Sequence, residues 1–200
     1  KDVSANLSRR LKSVLMDQQN DALDQLRRWT QSGSAPAPEE LLTQIRPAVQ
    51  RAAVASLQGA YGAGQEILDG DPSDETDVSQ EAAALAAELV DPLLSRVERT
   101  LYDGVDGAEG RIRAIFREWR SERINPAVEA GVLGVIGRGM TDALDDGDLV
   151  RWVCPEGHEC VEGAENELAG ALRLGETFPS GHSLAPAYAG CRCLVVPADR

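Results

Sequence analysis

The sequence predicts a mainly α-helical protein: a helical bundle over residues 1–147, followed by a small α+β module over residues 148–200 that holds every cysteine. Three observations lead there. Apolar residues recur at three- and four-residue steps through most of the first 144 positions, the spacing that lines one face of a helix. Only two Phe, three Tyr and three Trp occur in 200 residues, so the core is built from Leu, Val, Ile and Ala, which suits helix packing better than a β-sandwich. Near residue 148 the texture changes to short β-branched runs, glycine and proline, and Cys154, Cys160, Cys191 and Cys193 all fall in this last stretch.

The first helix is expected over residues 3–31. Leu7, Leu11, Val14, Leu15, Leu23 and Leu26 form its apolar face, and Asp17, Asp21, Asp24, Arg27 and Arg28 take the remaining surface. SGSAPAP at 32–38 breaks it. Pro38-Glu39-Glu40 suits the first turn of a second helix, where a missing N–H costs little and the helix dipole favours acid. Leu41, Leu42, Ile45, Val49, Ala52, Ala53, Leu57 and Ala60 give that helix a face rich in small residues, with Pro47 as an expected kink, and Gly59, Gly62 and Gly64 either let a neighbouring helix approach closely or loosen the end of this one. DGDPSDETD at 69–77 reads as a mobile acidic loop, without the alternating positions and closing Glu of a calcium loop.

A third helix is expected from Val78 to Leu101, kinked at Pro92. DGVDGAEG at 103–110 separates it from a fourth helical region that carries Ile112, Ile115, Phe116 and Trp119, reaches Asn125-Pro126, and resumes from Val128 to Leu144. Gly131, Gly134, Gly137 and Gly139 each lower helicity by up to about 1 kcal/mol relative to Ala, a cost most easily accepted where backbones pass close together.

In the module, LVRWVC at 149–154 and CLVVP at 193–197 read as short strands, AENELAGAL at 164–172 as a helical turn or two, and FPSGHSLAPAYAGCRC at 178–193 as an ordered loop. Pairing of the two strands brings the first cysteine pair to the second. Trp152 reads as a packing residue that covers a small core or a metal site from water. Two cysteines from each side satisfy the count for a closed, structural zinc site of four sulfurs; two disulfides satisfy it as well, and simple buried thiols are the third reading. The C-x5-C arm is longer than the common C-x2-4-C, and C-x-C in a regular strand would aim its sulfurs at opposite faces. Cys191 and Cys193 therefore need a turn, which Gly190 permits.

His158 and His182, the only histidines, lie in the same module, and Cys154 with His158 forms a C-x3-H pair that offers a mixed Cys/His variant. Exposure in a loop is the simpler reading of both. Cys160, His158 and Glu162 can be drawn as nucleophile, base and acid, but no motif sets a base against one thiol, and the expectation is a protein without enzymatic activity.

The formal charge of −13 and a pI of about 4.6 exclude a duplex-wrapping surface, because the phosphate backbone rewards a basic one. Protein partners or self-assembly fit better than nucleic acid. No apolar run approaches the roughly 18 residues of a membrane span, and no basic-then-apolar leader opens the chain, so the expected compartment is the cytoplasm. A reducing compartment favours metal over disulfide. The chain opens at Lys1 inside a helical pattern and reads as a piece of a longer one.

The string RWVC…C…AEN-x-LAG…GE-x-FPSGH…AP-x-Y-x-GCRCLVVP resembles the C-terminal signature of the phage Mu F-like head morphogenesis, or minor capsid, proteins and their actinobacterial relatives. That signature has a cysteine pair after a Trp-containing strand, a polar loop with FP, then PPxHPxCRC and a short apolar strand. Cys154 and Cys160 match the first pair, Phe178-Pro179 the FP element, and Ala185-Pro186 through Cys193 the final motif, over about residues 150–197. Two departures stand out: Tyr188 and Ala189 replace the family's His and the proline after it, and the first pair is more widely spaced than C-x2-C. The resemblance implies a structural role in particle assembly, through portal, capsid or self contacts, and a virion-associated location if the chain is phage-derived. More loosely, the first helix is similar to segments of actinobacterial coiled-coil proteins labelled as cell-division initiation proteins, which implies the alternative of a cellular scaffold. A metal- or thiol-dependent enzyme is a distant third.

Overall fold

Among the described residues five α-helices precede the sheet: α1 (Asp2–Ser32), α2 (Ile45–Ile67), α3 (Ser79–Tyr102), α4 (Ala108–Glu118) and α5 (Ile124–Asp142). They are followed by β1 (Leu149–Val153), α6 (Val161–Leu168), β2 (Ala171–Arg173) and β3 (Leu194–Pro197). The structure, a computed structural model, describes residues 2–33, 40–68, 70, 76–157, 160–188 and 190–198. The mainly helical chain with a small α+β cysteine-containing segment at its C-terminal end is the fold that forms. The break at 34–38, the Pro38-Glu39 helix start, residues 69 and 71–75 of the acidic loop, and His158 lie outside the described residues.

Two helix boundaries differ from the reading of the sequence, and backbone geometry explains both. The second helix begins at Ile45, not Pro38, because Leu42 is left-handed at φ 71 and cannot continue a right-handed helix. The Ile45 N–H closes onto the Leu42 carbonyl at 3.0 Å, and Pro47 then falls in the first turn, where its absent N–H leaves no intrahelical bond unmade. At Asn125-Pro126 the helix does not break. α4 runs into α5 through one π-helical turn, Trp119–Arg123, and Pro126 sits just inside α5. Its ring clashes with a carbonyl one turn back in a regular helix; the wider turn supplies room.

By contacts the chain groups into two compact units, residues 1–54 with 79–127, and residues 55–78 with 128–200. The division falls inside α2 and α5, whereas composition changes near 148. Charge divides with it. The first unit has fifteen basic and fifteen acidic residues, and the second has five basic against eighteen acidic, so the second carries the whole formal charge of −13.

The first unit buries Leu7, Leu11 and Leu26 of α1, Leu93 and Val97 of α3, and Ile112 and Phe116 of α4. Trp119 in the π turn donates its indole N–H to the Leu89 carbonyl at 2.8 Å, while Arg96 and Arg123 lie 5.4 and 5.7 Å from its ring centroid. In the second unit, α2 and α5 cross at glycines. A β-carbon on Gly64 would collide with the Ile136 carbonyl, and one on Gly139 with the Tyr61 carbonyl. Beside the crossing, the Tyr61 hydroxyl donates to Asp142 at 2.9 Å and the Arg138 guanidinium lies 4.9 Å from the Tyr61 ring centroid.

This crossing makes a direct prediction. Gly64→Ala or Gly139→Ala should each cost about 1–3 kcal/mol, because backbone rather than a flexible side chain must yield. Gly59→Ala, also on α2 but exposed with nothing within 4 Å of a new β-carbon, should stabilise by about 0.5–1 kcal/mol. Denaturant unfolding of the three variants checks the contrast; equal effects at positions 59 and 64 would contradict it.

The sheet has the order β2-β1-β3, antiparallel throughout. Leu149 pairs with Arg173 on one side of β1, and Trp152 with Val195 on the other. α5 packs on this segment through its glycines: a β-carbon at Gly134 would lie 2.9 Å from Pro186 Cδ, and one at Gly137 3.8 Å from Leu194 Cδ2.

Candidate metal centre

The antiparallel register carries two cysteines together. Trp152 pairs with Val195 and Val153 with Leu194, so the next step beyond the ladder sets Cys154 opposite Cys193. Their sulfurs lie 2.9 Å apart, well beyond a disulfide bond of about 2.05 Å, and all four thiols are free. Cys191 arrives by a turn rather than a strand. Gly190 at φ 92 and a 3.0 Å bond from the Cys191 N–H to the Tyr188 carbonyl bend the backbone ahead of β3. The turn that the C-x-C spacing required is thus present, and Cys191 and Cys193 are both fully buried.

Cys160 enters from α6. It stands at the helix N-cap in extended conformation, and its sulfur accepts the Gly163 N–H at 3.2 Å. Cys160 Sγ lies 3.9 Å from Cys191 Sγ. The sulfurs of Cys160, Cys191 and Cys193 are within 4.8 Å of one another, close enough to hold a metal ion, and Cys154 joins them through Cys193. A tetrahedral site with Zn–S of about 2.3 Å sets its sulfurs about 3.8 Å apart. The Cys160–Cys191 separation already meets that edge, and Cys154 and Cys193 have about 1 Å to open.

Gly163 shapes the space between them. A β-carbon at this position would collide with Cys154 Sγ and stand 2.7 Å from Cys193 Sγ and 3.0 Å from Cys160 Sγ. Three of the four sulfurs thus crowd one backbone position that has no room for a side chain. α6 is fastened there by its neighbours. The Cys154 N–H donates to the Glu167 carboxylate at 2.7 Å. Fully buried Asn166 donates to Ser180 Oγ at 2.9 Å and accepts the Ser180 N–H at 3.0 Å, which ties α6 to the FPSG turn. That turn closes through the Gly181 N–H on the Phe178 carbonyl at 2.8 Å, and the Phe178 ring meets Trp152 edge-on at 5.3 Å.

The thiols are not electrostatically alike. Burial pushes the Cys154 and Cys193 thiols up. Burial acts the same way on Cys160, but the Tyr188 hydroxyl, the Gly163 N–H and the thiols of Cys193 and Cys191 outweigh it and hold Cys160 below the ordinary thiol value. Tyr188 faces Cys160, and this contact pushes its phenol up to about 12.

All four cysteines singled out in the sequence are therefore brought together. His182 is exposed and contributes its main-chain carbonyl, which accepts the Phe178 N–H at 2.9 Å. Gly163, Asn166 and Glu167 were not apparent from the sequence. The one available signal was a glycine three residues after a cysteine, the spacing at which an N-cap side chain receives a backbone N–H. Among the described residues no helix is long and apolar enough to cross a membrane. Comparison of the chain with protein-family models, with curated proteins and with solved structures gave no match.

Proposed function

We propose that the chain is a non-enzymatic structural protein that acts in assembly through protein contacts, as its resemblance to the Mu F-like head morphogenesis proteins implies, and that zinc staples its C-terminal segment. The observation that carries the zinc reading is the convergence of Cys154, Cys160 and Cys193 on the backbone of Gly163, with Cys191 drawn in beside Cys160. Four thiolates are a soft donor set suited to zinc, and a closed four-sulfur site keeps no open position of the kind a catalytic zinc needs. When bound, zinc supplies folding free energy to a segment with a small apolar core. That core is Val150, Trp152, Phe178 and Val195 beside the sulfurs. An acidic second unit suits a basic protein surface, such as a portal, capsid or like assembly partner.

Metal analysis of protein purified without chelator, paired with thiol counting under denaturing conditions, tests the closure. About one zinc per chain with four titratable thiols supports it; no metal and no free thiols means two disulfides; no metal and four free thiols defeats it. The assembly role is tested separately by the gene neighbourhood. An adjacent portal or capsid gene supports it, and an upstream coiled-coil extension in the full-length gene favours the cellular scaffold instead. Direct DNA contact is not part of this role. At about 0.15 M salt the chain should not retard duplex DNA, and submicromolar, sequence-independent binding would overturn that expectation.

A further inference from the structure

We infer that the indole N–H of Trp152 is a hydrogen-bond donor reserved for the metal-loaded centre, received there by the sulfur of Cys193. This rests on the zinc reading above. Trp152 is 2% exposed, and its Nε1 is buried with no hydrogen-bond partner among the described residues. The other buried indole shows the ordinary arrangement, since Trp119 reaches a carbonyl at 2.8 Å. An unpaired buried donor is costly, and phenylalanine would fill the same place without that cost.

The sheet register identifies the acceptor. Trp152 and Cys154 are two residues apart and lie on one face, as do Val195 and Cys193 on the partner strand. Trp152 is opposite Val195, so Cys193 is its diagonal neighbour on that face, within reach of an aromatic side chain. Both residues belong to one buried cluster with Phe178 and Cys191. No hydrogen bond closes between the indole and the Cys193 thiol. A protonated thiol sulfur is a weak acceptor, and a metal-bound thiolate is a strong one. Four thiolates around a divalent ion leave two negative charges inside a unit that already carries −13. The Gly163 N–H relieves Cys160. On this inference Trp152 relieves Cys193 and so acts as a positioning residue of the centre.

The test uses the full chain and three measurements. Trp152→Phe should keep the helical signal and lower zinc affinity, read by chelator competition, about 10- to 100-fold. Replacement of Trp152 by 3-benzothienylalanine, which keeps the ring shape and lacks the N–H, should give the same loss and decides the matter if the phenylalanine variant does not fold. In the unmodified chain loaded with cadmium-113, the Trp152 indole proton should show scalar coupling to the metal across the sulfur. Affinity within about threefold of the parent in the isosteric variant, or no such coupling, overturns the role of Trp152 and leaves the centre standing. A parent chain that binds neither zinc nor cadmium overturns the centre, and this inference with it.

Discussion

Gly163→Ala should empty the metal centre while leaving all four thiols in the chain. The added methyl would occupy space already held by the sulfurs of Cys154, Cys193 and Cys160, and metal–ligand distances tolerate only about ±0.2 Å of adjustment. Either α6 shifts outward and takes Cys160 with it, or the strand-end pair is displaced. Both break the four-sulfur geometry. Zinc content should fall from about one per chain to a trace, a loss far beyond the roughly 1–3 kcal/mol of ordinary overpacking, because it removes the binding energy of the ion. Gly110→Ala, on α4 with nothing within 4 Å of a new β-carbon, should leave zinc content unchanged. Retention of parental zinc by the Gly163 variant would show that the sulfurs do not gather around this position.

Cys193→Ser should cost the chain both its metal and the order of the segment from β1 to β3, while the first unit stays folded on its own buried residues. Cys193 contacts Cys154 directly and belongs to the buried sulfur trio, so its loss divides the set. Far-UV circular dichroism should retain most of its helical signal, and amide exchange should accelerate over 149–197 with little change in α1, α3 and α4. The four serine variants should not be equal. Cys154→Ser should be the mildest, since Cys154 is partly exposed and joins the trio through one neighbour, whereas Cys160, Cys191 and Cys193 are buried. A Cys193→Ser chain that still holds one zinc would contradict the four-sulfur centre.

The legible part of this structure is the part decided by local pattern. Helical periodicity located α1, α3 and the run through α4 and α5, and β-branched residues marked β1 and β3, because burial of one face is written at fixed spacing. Glycine within a helix is costly unless a neighbour needs the space, so close approach was legible at Gly139 and was one of two readings at Gly64, whereas Gly59, which carries the same signal, has nothing within 4 Å of a new β-carbon. β2 was not legible. Ala171–Arg173 has no strand preference of its own and is held by pairing with Leu149–Arg151, a contact across more than twenty residues. The left-handed Leu42 that delays α2 has no signal in its residue type. In the centre the thiols could be counted, but the cradle at Gly163 depends on where α6 docks and only tertiary packing reveals it.

The ladder between β1 and β3 and the sulfurs at its end together clamp the segment between Cys154 and Cys193 at its two ends. Once the ends are held, the entropy of closing the loop grows by only about 0.6 kcal/mol for each doubling of its length. The exposed turns of the clamped segment can therefore lengthen, shorten or exchange residues at little cost to the sheet, as long as Cys160 still reaches the sulfurs and α6, β2 and Phe178 keep their contacts. The exposed Gly175, outside the turn that holds Phe178, is the natural point for insertion. Change is thus least costly at the exposed turns of this segment and most costly at the sulfurs, β2 and the buried Asn166 and Phe178.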